Sequence, residues 1–327
     1  MTNFKNSYGS LVKYHGSANS KVARGVEVSS LSNDGVSVVV LGGALTRNVN
    51  STEWYMSKVA PVLQSDFKDV ALYCGYYQFN DVDPMLVKAH AFRTAGFCFP
   101  LPKQQEEQLQ CLLENEPEIG YVQDLYDLII EPCFHDTQES TIRNLRRIVF
   151  YTDCHGSVTL WHMVDKAKAA LKAKGWSDEA IAKTLKNIVA VQHEPTSPLS
   201  NVLHTSYSFV SASDETMNFY DKRSLEFKGK RDMPPTYMGA DYSNLLVVGH
   251  LKNNNLSEHG FYDVFGPEDN PDVSEYGRLL YRAQRNVLKN VVNAAERRTS
   301  IPSWGQAVSP NIDLKSIMHS KGKYNGR

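Results

Sequence analysis

Ile148-Val149-Phe150-Tyr151-Thr152-Asp153-Cys154-His155-Gly156-Ser157 is the stretch on which the fold turns. Its first four residues are β-branched or aromatic with no polar alternation, the pattern of a strand covered on both faces of a parallel sheet. After Ser157 the apolar residues recur at helical spacing through Leu171 and Ala173. Strand therefore gives way to helix within about three residues, and Cys154 sits at the tip of that turn. Working upstream, Val36–Leu41 is a second buried-type run, ended by Gly42-Gly43. Asn50 with Glu53 three positions on reads as a helix cap, and a strand resumes at Asp69–Cys74, which makes one βαβ unit. Earlier still, Gly25–Ser30 enters a tight turn and reads as part of an antiparallel edge hairpin.

Downstream, Ser177 followed by Asp178 and Glu179 opens a short helix leading to the strand Ile188–Gln192. Ser206–Ser211 and Leu245–Gly249 supply two further strands. Residues 273–297 form an amphipathic helix with Tyr276, Leu279, Leu280, Ala283, Val287, Val291 and Val292 on one side. Between the strands lies a long interval, 80–147, with helices expected near 83–94, 104–115 and 120–132. The alternation of strand and helix gives an α/β class, a three-layer α/β/α sandwich with a mainly parallel sheet. Residues 1–300 read as one domain, with 80–147 and 215–243 as lid or cap insertions and 301–327 as a polar tail. Aromatic residues near or within the insertions, such as Tyr76, Tyr77 and Tyr237, are candidates to line an apolar pocket.

Composition narrows the function. The chain has 327 residues, 42% of them hydrophobic and 22% charged, which is ordinary for a globular protein and unlike a disordered one. Thirty-five basic against thirty-six acidic residues leave a net charge of −1, so no overall field favours nucleic acid. The longest apolar stretch, Val36–Leu45, is too short for a transmembrane segment, and the opening residues lack the apolar run of a signal peptide. Five cysteines (Cys74, Cys98, Cys111, Cys133 and Cys154) are odd in number and show no CxxC spacing, which argues against a disulfide framework or a zinc knuckle and for a reducing, cytoplasmic setting. Neither glycine-rich nucleotide loop occurs, and His155, His162, Asp153 and Asp165 have no metal-ligand spacing; the expected cofactor is none and the expected metal none. Oligomeric state is not legible.

A nucleophile carried on a strand-to-helix corner needs small neighbours, because the turn packs tightly and its tip adopts a strained backbone. Thr152 at minus two, Gly156 at plus two and Ser157 beside it meet that need, with Thr replacing the more usual Gly. Ser157 is a rival nucleophile by chemistry, but at plus three it falls inside the helix. On these residues and the order of elements, the sequence resembles the α/β-hydrolase superfamily, in which the corner is commonly G-x-S-x-G. Cysteine variants of that superfamily include dienelactone hydrolases and polyhydroxyalkanoate synthases.

The resemblance implies that Cys154 is the nucleophile and that the His155 N–H is one oxyanion donor, with Ala44 or Leu45 after Gly43 supplying the second. Family order is nucleophile, acid, histidine. It implies Asp214, just past the strand Ser206–Ser211, as the acid. For the histidine it implies His259, in Glu258-His259-Gly260-Phe261, with His250 as the alternative. The expected chemistry is acyl transfer through a thioester, on an ester, thioester or amide of a small or lipid-like acyl substrate. Because a fold does not fix function, the rival expectation is a catalytically inactive member used as a binding or effector protein.

Overall fold

The computed structural model describes residues 9–15, 24–32, 35–43, 46, 48–64, 66–67, 69–77, 86, 89, 101–114, 120–197, 202–211, 245–248 and 275–308. Eight strands form one sheet: β1 (Gly9–His15), β2 (Arg24–Val28), β3 (Ser37–Leu41), β4 (Ala71–Tyr77), β5 (Ile148–Asp153), β6 (Val189–His193), β7 (Thr205–Ser211) and β8 (Leu245–Val248). They lie in the order β2-β1-β4-β3-β5-β6-β7-β8. β1 runs antiparallel to β2 and β4, so the edge pairing is antiparallel as expected, but it joins Arg24–Val28 to the preceding strand Gly9–His15 and not across the turn that follows Ser30. Every pairing from β4 onward to β8 is parallel. β3 and β5 are central neighbours with Leu41 opposite Thr152, which brings the Gly42-Gly43 loop beside the end of β5.

Both faces of this sheet are covered. On one face α1 (Val49–Gln64), α7 (Glu275–Glu296) and the short α8 (Trp304–Val308) pack against Val38, Val40, Val149 and Tyr151. On the other, α3 (Gly120–Ile129), α5 (Gly156–Ala173) and α6 (Asp178–Leu185) pack against Val39, Leu41, Ile148 and Phe150. Successive residues of β5 thus enter two different cores, which is why its sequence is apolar without a break. The architecture is the three-layer, mainly parallel α/β sandwich that the sequence predicts. α2 (Lys103–Glu114) and α4 (Gln138–Leu145) complete the described helices.

Several local expectations are corrected. The cap of α1 is Asn48, not Asn50: Asn48 Oδ1 accepts from the Ser51 amide at 2.9 Å, and Ser51 Oγ accepts from the Asn48 amide at 3.1 Å. α4 has no counterpart in the sequence reading; Thr137 caps it by accepting from the Ser140 amide. The expected helix at 120–132 is α3 followed by a 3-10 turn over Glu131–Cys133, while the one at 83–94 lies largely outside the described residues. Tyr76 and Tyr77 are buried β4 residues. Residues 301–308 pack onto the sheet: the Trp304 ring stacks on Tyr207 at 5.8 Å, and Ala307 and Val308 are fully buried.

Candidate active site

The corner between β5 and α5 is as tight as its residues allow. Cys154 has φ +48°, one of three non-glycine residues with positive φ among the described residues. A side chain pays a steric penalty there, and such strain persists where the surroundings over-determine it. The surroundings here are specific. The Cys154 amide donates to the His193 carbonyl on β6 at 3.0 Å, and its carbonyl accepts from the Ser157 amide at 3.1 Å and the Ser157 hydroxyl at 2.7 Å. A Cβ built on Gly156 would lie 2.0 Å from the Leu41 carbonyl oxygen, so only glycine lets α5 start this close to β3. His155 then takes the N-cap position of α5 without a side-chain cap bond, and its backbone N–H stands at the start of the helix, where the first N–H groups find no acceptor within the helix itself.

Ser157 is fully buried, and its hydroxyl also accepts from the amides of Thr196 at 3.0 Å and Ser197 at 3.1 Å. It fastens the start of α5 to the loop after β6.

The Gly42-Gly43 loop is held against the corner by two tyrosines. The Gly43 amide donates to the Tyr55 hydroxyl at 2.7 Å, and that hydroxyl donates to Asp153 Oδ2 at 2.7 Å. Tyr77 donates to the Gly43 carbonyl, which also accepts from the Thr46 amide at 2.9 Å. A Cβ on Gly42 would meet the Tyr55 ring at 2.4 Å, so glycine is needed there for this approach, while one on Gly43 would come no closer than 3.2 Å to the Tyr55 hydroxyl. Burial, with the Asp153 charge second, pushes the Tyr55 hydroxyl well above its usual range, and the same two causes in the same order raise Tyr151. Both hydroxyls stay neutral: Tyr55 donates to the carboxylate, and Tyr151 accepts from Gln284 Nε2 at 2.7 Å. Since Gly43 has already committed its amide, the next N–H groups in the loop are those of Ala44 and Leu45, which lie outside the described residues.

His155 points its ring away from solvent; Nε2 lies 3.3 Å from the Tyr121 hydroxyl, and the Tyr77 ring meets it edge-on at 5.8 Å. Its side chain is structural packing beneath the corner. Asp214, His250 and His259 lie outside the described residues. Among the described residues no group of three or more His, Cys, Asp or Glu is arranged to hold a metal, and no helix is long and apolar enough to cross a membrane.

One acidic residue at the corner escapes the sequence. Glu194 follows directly on β6, is fully buried, and has φ +42°. Its amide donates to the Phe209 carbonyl at 2.9 Å. Because Asp153 is paired in register with His193, Glu194 ends its strand alongside Cys154. The sequence signal, Gln192-His193-Glu194-Pro195, is indistinguishable from an ordinary strand-end turn. Among the described residues Cys74 and Cys133 are, like Cys154, buried thiols; burial raises both Cys74 and Cys133, the latter to about 12.

No family model matches the sequence, and no curated protein matches it. Among solved structures, two of an esterase from the hyperthermophilic archaeon Pyrobaculum calidifontis match the chain. One has 12% identity and a TM-score of 0.35, the other 13% and 0.34, each covering 85% of this chain and 80% of its own. The three-layer α/β architecture rests on this chain's own strand order and its two covered faces.

Proposed function

We propose that the protein is a hydrolase or acyltransferase of the α/β-hydrolase kind, acting on an ester, thioester or amide through Cys154. The observation that carries this reading is the left-handed backbone of Cys154 at a β-to-α corner that opens onto a helix N-terminus. A cysteine that merely filled the core would need neither the strain nor the glycine contact behind it.

In the proposed cycle His259, or His250 in its place, takes the thiol proton, and the sulfur attacks the acyl carbonyl. The carbonyl π pair moves onto oxygen, and the oxyanion is met by the His155 N–H and by Ala44 or Leu45. Collapse of the intermediate breaks the bond to the leaving group, which departs as alcohol, thiol or amine with the proton from the imidazolium. A thioester on Cys154 remains. Water, deprotonated by the same imidazole, attacks it; the acid leaves and the thiol recovers its proton. Asp214 orients the imidazole in this scheme. A second reading of the acid is favoured by the buried carboxylate at the end of β6: Glu194 in place of Asp214.

Turnover of p-nitrophenyl esters of graded chain length tests the proposal. Wild type should hydrolyse at least one of them, and Cys154→Ala should lose at least a hundredfold in rate. Equal rates in the two proteins would remove the enzyme reading and leave a binding protein on a hydrolase scaffold. Glu194→Gln and Asp214→Asn, each checked for an unchanged melting temperature, separate the two acids by which of them lowers kcat.

A further inference from the structure

At the opposite edge of the sheet from Cys154, where β5 and β6 begin, a cavity of about 260 Å³ opens between α4, the end of α7 and the strands. Its floor is apolar: Val149, Val189, Val291 and Ile301 line it. Its rim carries four guanidinium groups, Arg143, Arg146, Arg147 and Arg298, against one carboxylate, Glu139. α4 and α7 both end here, and their carbonyl ends contribute roughly half a negative charge apiece, which leaves the cations in excess.

Two of these arginines are anchored by Nε. Arg146 Nε donates to Asn187 Oδ1 at 2.7 Å, and Arg147 Nε donates to the Gly35 carbonyl at 3.0 Å. Such anchoring fixes the plane of the guanidinium and limits the entropy lost when its terminal N–H groups bind. Arg298 supplies an independent observation. It stands where α7 ends in a paired turn, with Thr299 N–H on the Ala294 carbonyl and Arg298 N–H on the Ala295 carbonyl, and its φ is +55°. Glycine is the usual residue at that position, because a side chain there is strained. An arginine occupies this strained place, and it lines the cavity.

We propose that this cavity binds a phosphate monoester carrying a short apolar group, the phosphate on the arginine rim and the apolar group on the valine floor. The volume lies just below the range of about 300–1,000 Å³ of drug-sized sites, so the occupant is small. Paired guanidinium forks match phosphate oxygens in geometry and charge. The site is separate from the corner at Cys154 and does not depend on what that corner does.

Calorimetric titration with hexyl phosphate, inorganic phosphate and hexan-1-ol tests it. Hexyl phosphate should bind saturably and at least tenfold more tightly than either of the others, and Cys154→Ala should bind it as wild type does. Arg143→Gln and Arg298→Gly should each weaken it about fivefold to twentyfold. Arg298→Gly also relieves the backbone strain, so its melting temperature should rise by about 1–3 °C, which shows that lost binding is not lost folding. Equal binding of hexyl phosphate and inorganic phosphate, wild-type affinity in both arginine variants, or no saturable binding at millimolar concentration would each overturn the proposal.

Discussion

Replacing Gly156 by alanine tests the close approach on which the corner depends. Helix propensity alone favours the change by about 1 kcal/mol, since alanine is the better helix former. The structure reverses the sign. The new methyl carbon would lie 2.0 Å from the Leu41 oxygen, 2.6 Å from the Leu41 carbonyl carbon and 2.9 Å from the Gly42 oxygen. Carbon and oxygen in contact settle at roughly 3.3 Å or more, so α5 and the end of β3 must part by roughly 1.3 Å. All three obstacles are backbone, and no rotamer relieves them. The parting pulls against the Ser157 hydroxyl bonds and the Cys154 amide bond, and the loss should be about 3–5 kcal/mol. Urea unfolding followed by tryptophan fluorescence measures it. Gly305→Ala serves as the control: a Cβ there meets nothing within 4 Å, and in α8 the change should stabilise by about 0.5–1 kcal/mol. A Gly156→Ala protein within 1 kcal/mol of wild type would refute the tight corner.

Two further outcomes follow from buried polar groups. Tyr55→Phe removes the hydroxyl between Asp153 and the Gly43 amide, and should cost about 2–4 kcal/mol in the same unfolding assay; a loss under 0.5 kcal/mol would mean that the bridge contributes nothing. Burial holds the His204 imidazole down at about 4. Below pH 6.5 the unfolded chain binds a proton there that the folded chain refuses, so this contribution is full above pH 6.5 and falls away as pH drops through 4, by up to about 3 kcal/mol. His204→Leu should flatten the acid limb of a stability-against-pH curve, and parallel curves for the two proteins would contradict the assignment.

What the sequence makes legible follows from how each element earns its pattern. Strands buried on both faces, Ile148–Asp153 above all, have unbroken apolar runs, and the corner after them declares itself by the small residues at Gly156 and Ser157. α4 stays hidden because Gln138–Leu145 holds only Ile142 and Leu145 as apolar residues, too few to show a period. The short α8 is hidden for another reason: its docking depends on Trp304 finding Tyr207 and Phe209, nearly a hundred residues earlier in the chain. The same holds for the site. Cys154 is readable from its neighbours, whereas the Tyr55–Asp153 bridge joins residues 98 positions apart, and Glu194 gains meaning only from the strand beside it. Local chemistry marks the corner; the groups packed around it are set by topology.

The bond from the Cys154 amide to the His193 carbonyl has a consequence for how the protein is made. During synthesis the thiol leaves the ribosome well before its acceptor, and the acceptor's own strand is then completed by β7, where Phe209 receives the Glu194 amide. The nascent chain therefore makes the sheet-side bond to the cysteine only after β6 has emerged, later than the Ser157 and Gly156 contacts on its other side.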